Sequence, residues 1–272
     1  MTRRHITFNC RGTMLAGTLD MAPGTTGLLI VSGGNELRSG PWSSQAEIAA
    51  KAAAAGFPVL RFDRRGVADS EGENEGFAAS GPDIAAALRA FRAYVPTLKR
   101  IVAYGNCDAA SALMMAGGEG CDALVLANPW TFEPVSAFAN QPEQEAPAPE
   151  MTPQRLRAHY LRRLADPRAW LRLLTGRVRV GTLAASLKDA AAPDAPPTGL
   201  AQRMAQGLAG FAGPTTILIA ESDRTAQAFL DHWDGADPRL RRCPGASHSF
   251  VEPQAQIWLQ GQILAALRSL DQ

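Results

Sequence analysis

From the N-terminus to about residue 129, short β-like runs alternate with helical stretches. The apolar runs HITFNC, MLAGTLD, GLLIVSGG, FPVLRFD, RIVAYGN and CDALVLANP are separated by segments such as SSQAEIAAKAAAAG and GPDIAAALRAFRAYV. Runs of that length bounded by Gly, Pro and Asn read as strands, and the Ala-rich stretches carry helical spacing. Strands joined by helices pair in parallel, because the connecting helix must cross a face of the sheet. The first two runs lie too close for a crossover and read as an antiparallel hairpin at a sheet edge. The expected class is therefore α/β, with a mostly parallel central sheet and helices on both faces. At 272 residues with 46% hydrophobic content, one such domain with an insertion is the simplest account.

The alternation breaks after Pro129. Residues 130 to 213 contain no convincing core strand. They hold the Pro- and Glu-rich stretch ANQPEQEAPAPEMTP, the arginine-studded QRLRAHYLRRLADPRAWLRLLTG and the loose DAAAPDAPPTG. Strand and helix return with TTILIAESD, AQAFLDHWDG, PRLRRCPGASHSF and AQIWLQGQILAALRSL. The expected organisation is a core formed by 1–129 and 214–272, with 130–213 as a helical cap insertion. A net charge of +1 gives no field that would recruit nucleic acid. No window approaches the apolar length of a membrane span or a signal peptide. The four cysteines form no metal-binding or disulfide spacing, which fits a reducing cytoplasm, and no cofactor, nucleotide or metal site is read; GGNELRSG lacks the ending of a phosphate loop.

One polar joint interrupts this apolar pattern. In IVAYGNCDAASALMM a strand ends at Gly105-Asn106, a helix begins after Asp108, and Cys107 sits between them. A nucleophile on a sharp strand-to-helix turn needs small residues two before and two after it, and Gly105 and Ala109 fill those places. A buried strand-end cysteine is the plainer alternative. Asp223 ends the strand ILIAESD, and His248 follows in the small-residue loop GASHSF, so nucleophile, acid and histidine fall in the chain order of α/β-hydrolases. His5, His159 and His232 lie on an edge strand, in the insertion and in a helix. Glu221 competes with Asp223 for the acid, whereas Asp63 and Asp69 read as caps of their own loop. Ser32-Gly33-Gly34-Asn35 follows the third strand, so the main-chain amides of Gly34 and Asp108 are the candidate oxyanion hole. Asn35, Glu36 and Arg38 in that loop, with Asn106 before the cysteine, are the candidate substrate contacts.

The combination GGNELRSG, VLRFDRRGVADSEG, GNCDAASA and GASHSF, with YLRRLADPRAWLRLLTG between them, resembles the exosortase A system-associated hydrolase 1 family of the α/β-hydrolase superfamily. The resemblance spans most of the chain. It implies an association with a bacterial exosortase and exopolysaccharide system, and it sets the family's cysteine, acid and histidine on Cys107, Asp223 and His248. The expected chemistry is attack of Cys107 on a carboxylic ester, thioester or lactone, with His248 moving the proton and Asp223 fixing the imidazole tautomer. An imidazolium and a helix N-terminus would both lower the thiol pKa, and Asp108 would raise it unless it turned away to cap the helix. The cap arginines could attract an anionic substrate or form a solvated helix face. The alternatives are a scaffold partner without turnover and acyl transfer to a sugar hydroxyl; no protein partner is indicated.

Overall fold

The computed structural model describes residues 2–132 and 199–271. Most of the expected cap, including the arginines of QRLRAHYLRRLADPRAWLRLLTG and His159, lies outside the described residues. Eight strands form one sheet in the order β1-β2-β4-β3-β5-β6-β7-β8. They are β1 (Thr2–Cys10), β2 (Thr13–Met21), β3 (Thr26–Val31), β4 (Val59–Phe62), β5 (Arg100–Asn106), β6 (Ala123–Ala127), β7 (Thr215–Ala220) and β8 (Leu240–Cys243). β1 and β2 are the expected edge hairpin, turned by Arg11 and Gly12 with φ of 53° and 89°. β2 meets β4 antiparallel, and every pairing from β4 through β3 to β8 is parallel.

Every residue of β3, β4 and β6 is buried, as strands covered on both faces require. Six helices of the described residues are named here: α1 (Ser44–Ala54), α2 (Gly81–Tyr94), α3 (Asp108–Met115), α4 (Gly199–Ala209), α5 (Arg224–Asp231) and α6 (Pro253–Leu270). Alternate strand residues point to opposite faces, so the sheet feeds two apolar clusters. One joins Leu29, Leu60, Ile101 and Ala103 to Phe91 of α2, Leu113 of α3 and Phe229 of α5. The other joins Leu28, Ile30, Val102 and Val125 to Ile48 of α1 and Leu259, Ile263 and Leu267 of α6.

Residues 199–213, assigned to the insertion by their sequence, begin with α4. Its Leu200, Met204 and Leu208, spaced four apart, are buried in the first cluster, and the helix packs on α3. This segment therefore rests on the helix that follows Cys107. At the carboxyl ends of β3, β5 and β7, and in the loop after β8, the chain carries the four segments singled out in the sequence.

Candidate active site

Cys107 joins β5 to α3 with φ 62° and ψ −129°. Such a backbone is strained for a residue with a Cβ, at a cost of about 1–3 kcal/mol, and it persists only where its surroundings enforce it. The enforcement is visible. The Cys107 N–H donates to the Ala127 carbonyl at 2.9 Å, and the Cys107 carbonyl accepts from Ala110 at 3.1 Å and from Trp130 at 3.3 Å. A side chain at Gly105 would stand 2.8–2.9 Å from the main chain of Ala109 and Ala110, so glycine is what lets α3 start against β5. Gly105→Ala is accordingly expected to cost about 1–3 kcal/mol through overpacking. A fall in the urea midpoint at unchanged slope would measure it.

His248 lies in the loop after β8, and Asp223 ends the turn after β7. The His248 Nδ1 and Asp223 Oδ2 are 2.8 Å apart, and the Cys107 thiol lies near enough to the same imidazole for His248 to pull its pKa down. The structure thus brings together three side chains separated by 116 and 141 positions from Cys107 (223 − 107 and 248 − 107). Asp223 is 7% exposed and the His248 side chain 35%, so the acid is enclosed while the imidazole reaches solvent. Glu221 is exposed, His5 contacts Thr18 on the edge strand at 3.4 Å, and His232 follows α5; none of these joins the cluster.

The thiol pKa departs from the sequence expectation in direction. Burial pushes it up, and the hydrogen bond and charge of His248, which pull it down, do not offset that. For His248, burial disfavours the imidazolium, but hydrogen bonds to Asp223 and Cys107 and the charges of both outweigh it and push the pKa up to about 10. Both groups thus hold a proton more tightly than they would in water, Cys107 through burial and His248 through its partners. Alkylation of Cys107 by iodoacetamide is expected to quicken about tenfold per pH unit across the neutral range, without levelling off below the ordinary thiol pKa. A rate that is flat from pH 6 upward would contradict this direction. Cys10 and Cys243 are buried, and burial pushes Cys121 up to about 12, so Cys107 is expected to be alkylated before these three.

The glycine loop approaches the cysteine from β3. A Cβ at Gly33 would lie 2.8 Å from the Asn106 carbonyl and 2.9 Å from an Asp108 carboxylate oxygen. The Asp108 main-chain N–H favours the charged form of the Cys107 sulfur. The Gly34 N–H is not directed at open space; it donates to the Asp108 side chain at 2.7 Å. Asp108 neither caps α3 nor turns to solvent.

The remaining candidates divide. Arg38 donates its main-chain N–H to Asp63 at 2.7 Å and its Nε to Thr18 at 3.0 Å, and its guanidinium pairs with Asp63 and Asp69, so it braces the loop. Asp63 serves the capping role read for it, accepting also from the Asp69 N–H at 3.4 Å, whereas the exposed Asp69 carboxylate pairs with Arg38 and caps no backbone group among the described residues. Asn35 accepts from Asn74 at 2.5 Å. Glu36 and Asn106 line a cavity of about 80 Å³ with Trp42, Gln45, Tyr104 and Phe250. Asn106 also donates to the His248 carbonyl at 3.3 Å.

One residue was overlooked. Asn128, buried at φ 44°, donates its amide to the His248 carbonyl at 3.0 Å and to Asn106 Oδ1 at 3.1 Å, and accepts from the Ala220 N–H at 2.8 Å. It ties the ends of β5, β6 and β7 to the histidine loop. The only sequence signal was an Asn-Pro pair after a strand. Among the described residues, no group of His, Cys, Asp or Glu has the arrangement of a metal site, and no helix is long and apolar enough to cross a membrane.

The chain matches the alpha/beta hydrolase family over residues 28–257. Its fold is similar to the alpha/beta hydrolase GrgF from Penicillium sp. sh18, with TM-score 0.62 and 15% identity over 99% of each chain. It is similar to the esterase Pf2001 of Pyrococcus furiosus, with TM-score 0.60 and 14% identity over 98% of this chain and 92% of that one. It is also similar to ferulic acid-bound Est1E of Butyrivibrio proteoclasticus, with TM-score 0.58 and 14% identity over 97% and 99%. Among curated proteins no sequence match was found.

Proposed function

The chain belongs to the alpha/beta hydrolase family, and on that premise we propose that it cleaves carboxylic esters or thioesters with Cys107 as nucleophile, His248 as acid-base and Asp223 as its partner. The observation that carries this reading is the hydrogen bond of the His248 imidazole to the Asp223 carboxylate beside a Cys107 thiol that the same imidazole influences. His248 accepts the thiol proton, which gives the sulfur its charge, and the sulfur attacks the acyl carbon. As the tetrahedral intermediate collapses, His248 returns the proton to the departing alcohol or thiol. Water, relieved of a proton by His248, then hydrolyses the acyl-thioester and regenerates the thiol.

Asp223 fixes the tautomer by accepting from Nδ1, which leaves Nε2 for the sulfur. A thiolate leaves more readily than an amide nitrogen, which favours esters and thioesters over amides. The resemblance of GGNELRSG, GNCDAASA and GASHSF to the exosortase A system-associated hydrolase 1 family extends the proposal to a role in the cytoplasm beside an exosortase and exopolysaccharide system. The Asp108 carboxylate on the Gly34 N–H favours a second reading, a scaffold that keeps the hydrolase fold without turnover. A panel of activated esters and thioesters assayed with wild type and Cys107→Ala separates the two. Turnover confined to the wild type supports the enzyme; none in either, with Cys107 still alkylated, supports the scaffold.

A further inference from the structure

The donor expected to hold a substrate oxyanion already holds an anion of the protein. One Asp108 oxygen accepts the Gly34 N–H at 2.7 Å, and the other faces the Arg64 guanidinium at 3.4 Å. Arg64 is 5% exposed, donates to Ser80 Oγ at 3.2 Å and also bonds the Gly34 carbonyl. The same guanidinium therefore orients the Gly34 peptide and anchors the side chain that covers its N–H. A carbonyl oxygen arriving over Cys107 meets a spent donor and a like charge beside it.

We propose that Asp108, anchored on Arg64, is a displaceable internal occupant of the oxyanion hole and sets the rate at which acyl substrates react. This inference rests on the reading of Cys107 as nucleophile. Turnover requires the carboxylate to withdraw from Gly34, after which the N–H is available to the tetrahedral intermediate. Removing one such donor in other enzymes costs about 10²–10³ in kcat, which bounds what freeing one can restore.

Two substitutions separate occupation from charge. Asp108→Asn and Asp108→Ala both remove the negative charge beside the sulfur, but the Asn carbonyl still accepts from Gly34 and only Ala vacates the donor. Alkylation by iodoacetamide, which forms no oxyanion, is expected to match within about twofold between the two variants. Their kcat/KM for 4-nitrophenyl acetate is expected to differ by about tenfold or more in favour of Ala. Equal values, or a lower value for Ala, overturn the proposal; should Ala fail to fold, Asp108→Gly makes the same comparison.

A readout without turnover keeps the test independent of hydrolysis. Propionaldehyde adds Cys107 across its carbonyl, forming a C–S bond and passing the thiol proton to the new oxygen, and so protects the sulfur from alkylation. Protection about tenfold tighter in Ala than in Asn supports the plug, and equal protection overturns it. Turnover that survives Cys107→Ala would instead overturn the nucleophile reading.

Discussion

Cys107→Ala is expected to lower kcat/KM for esters and thioesters by at least about 10⁴-fold, or about 5 kcal/mol of transition-state stabilisation. The size follows from what remains. Without the sulfur, His248 and Asp223 have no nucleophile to serve, and the hole beside them has one donor spent on Asp108. Stability is expected to change little, because alanine inherits the backbone at φ 62° and the strand and helix on either side are held by main-chain bonds. Steady-state assays beside thermal unfolding measure both. Cys107→Ser is expected to stay far below wild type, since its hydroxyl is much less acidic than a thiol in the same enclosed position. Activity within tenfold of wild type in the alanine variant would move the chemistry elsewhere.

The sequence made this cysteine legible through punctuation rather than motif identity. An apolar run ending in Gly-Asn, one Cys, and an Ala-rich run starting at Asp108 leave little but a sharp strand-to-helix turn. The late strand and the small-residue histidine loop were readable for the same reason. What lay hidden depends on groups brought together from afar. Asp108 meets Gly34 and Arg64 across 74 and 44 positions, and no local pattern says where a helix-starting carboxylate turns. The direction of the thiol pKa escaped because sequence displays the imidazole and the helix start but not the burial that outweighs them. The role of α4 was obscured differently. Leu200, Met204 and Leu208 mark an apolar face, yet only the fold shows it laid on α3.

Asp223→Asn is expected to lower kcat by about 10⁴-fold, on the scale seen when a triad aspartate loses its charge. The effect has two roots in one carboxylate. Toward the site, Oδ2 stands 2.8 Å from His248 Nδ1 and supports the imidazolium that forms as the sulfur attacks. Toward the fold, the same side chain caps α5, with Oδ1 accepting from Thr225 at 3.1 Å and Oδ2 from Ala226 at 3.0 Å. Asparagine offers one acceptor oxygen to these three donors, so it can keep the imidazole tautomer or part of the cap but not the whole set. Asp223→Ala deletes both roles and is expected to cost about 0.5–2 kcal/mol of stability for the cap alone. The pH dependence separates the roots. With the carboxylate gone, the largest support for the imidazolium is lost, the His248 pKa falls from about 10, and the rise of residual activity with pH moves to lower pH in both variants. A profile left in place, with activity lost only as far as stability falls, would reduce Asp223 to a helix cap and assign the histidine no acidic partner.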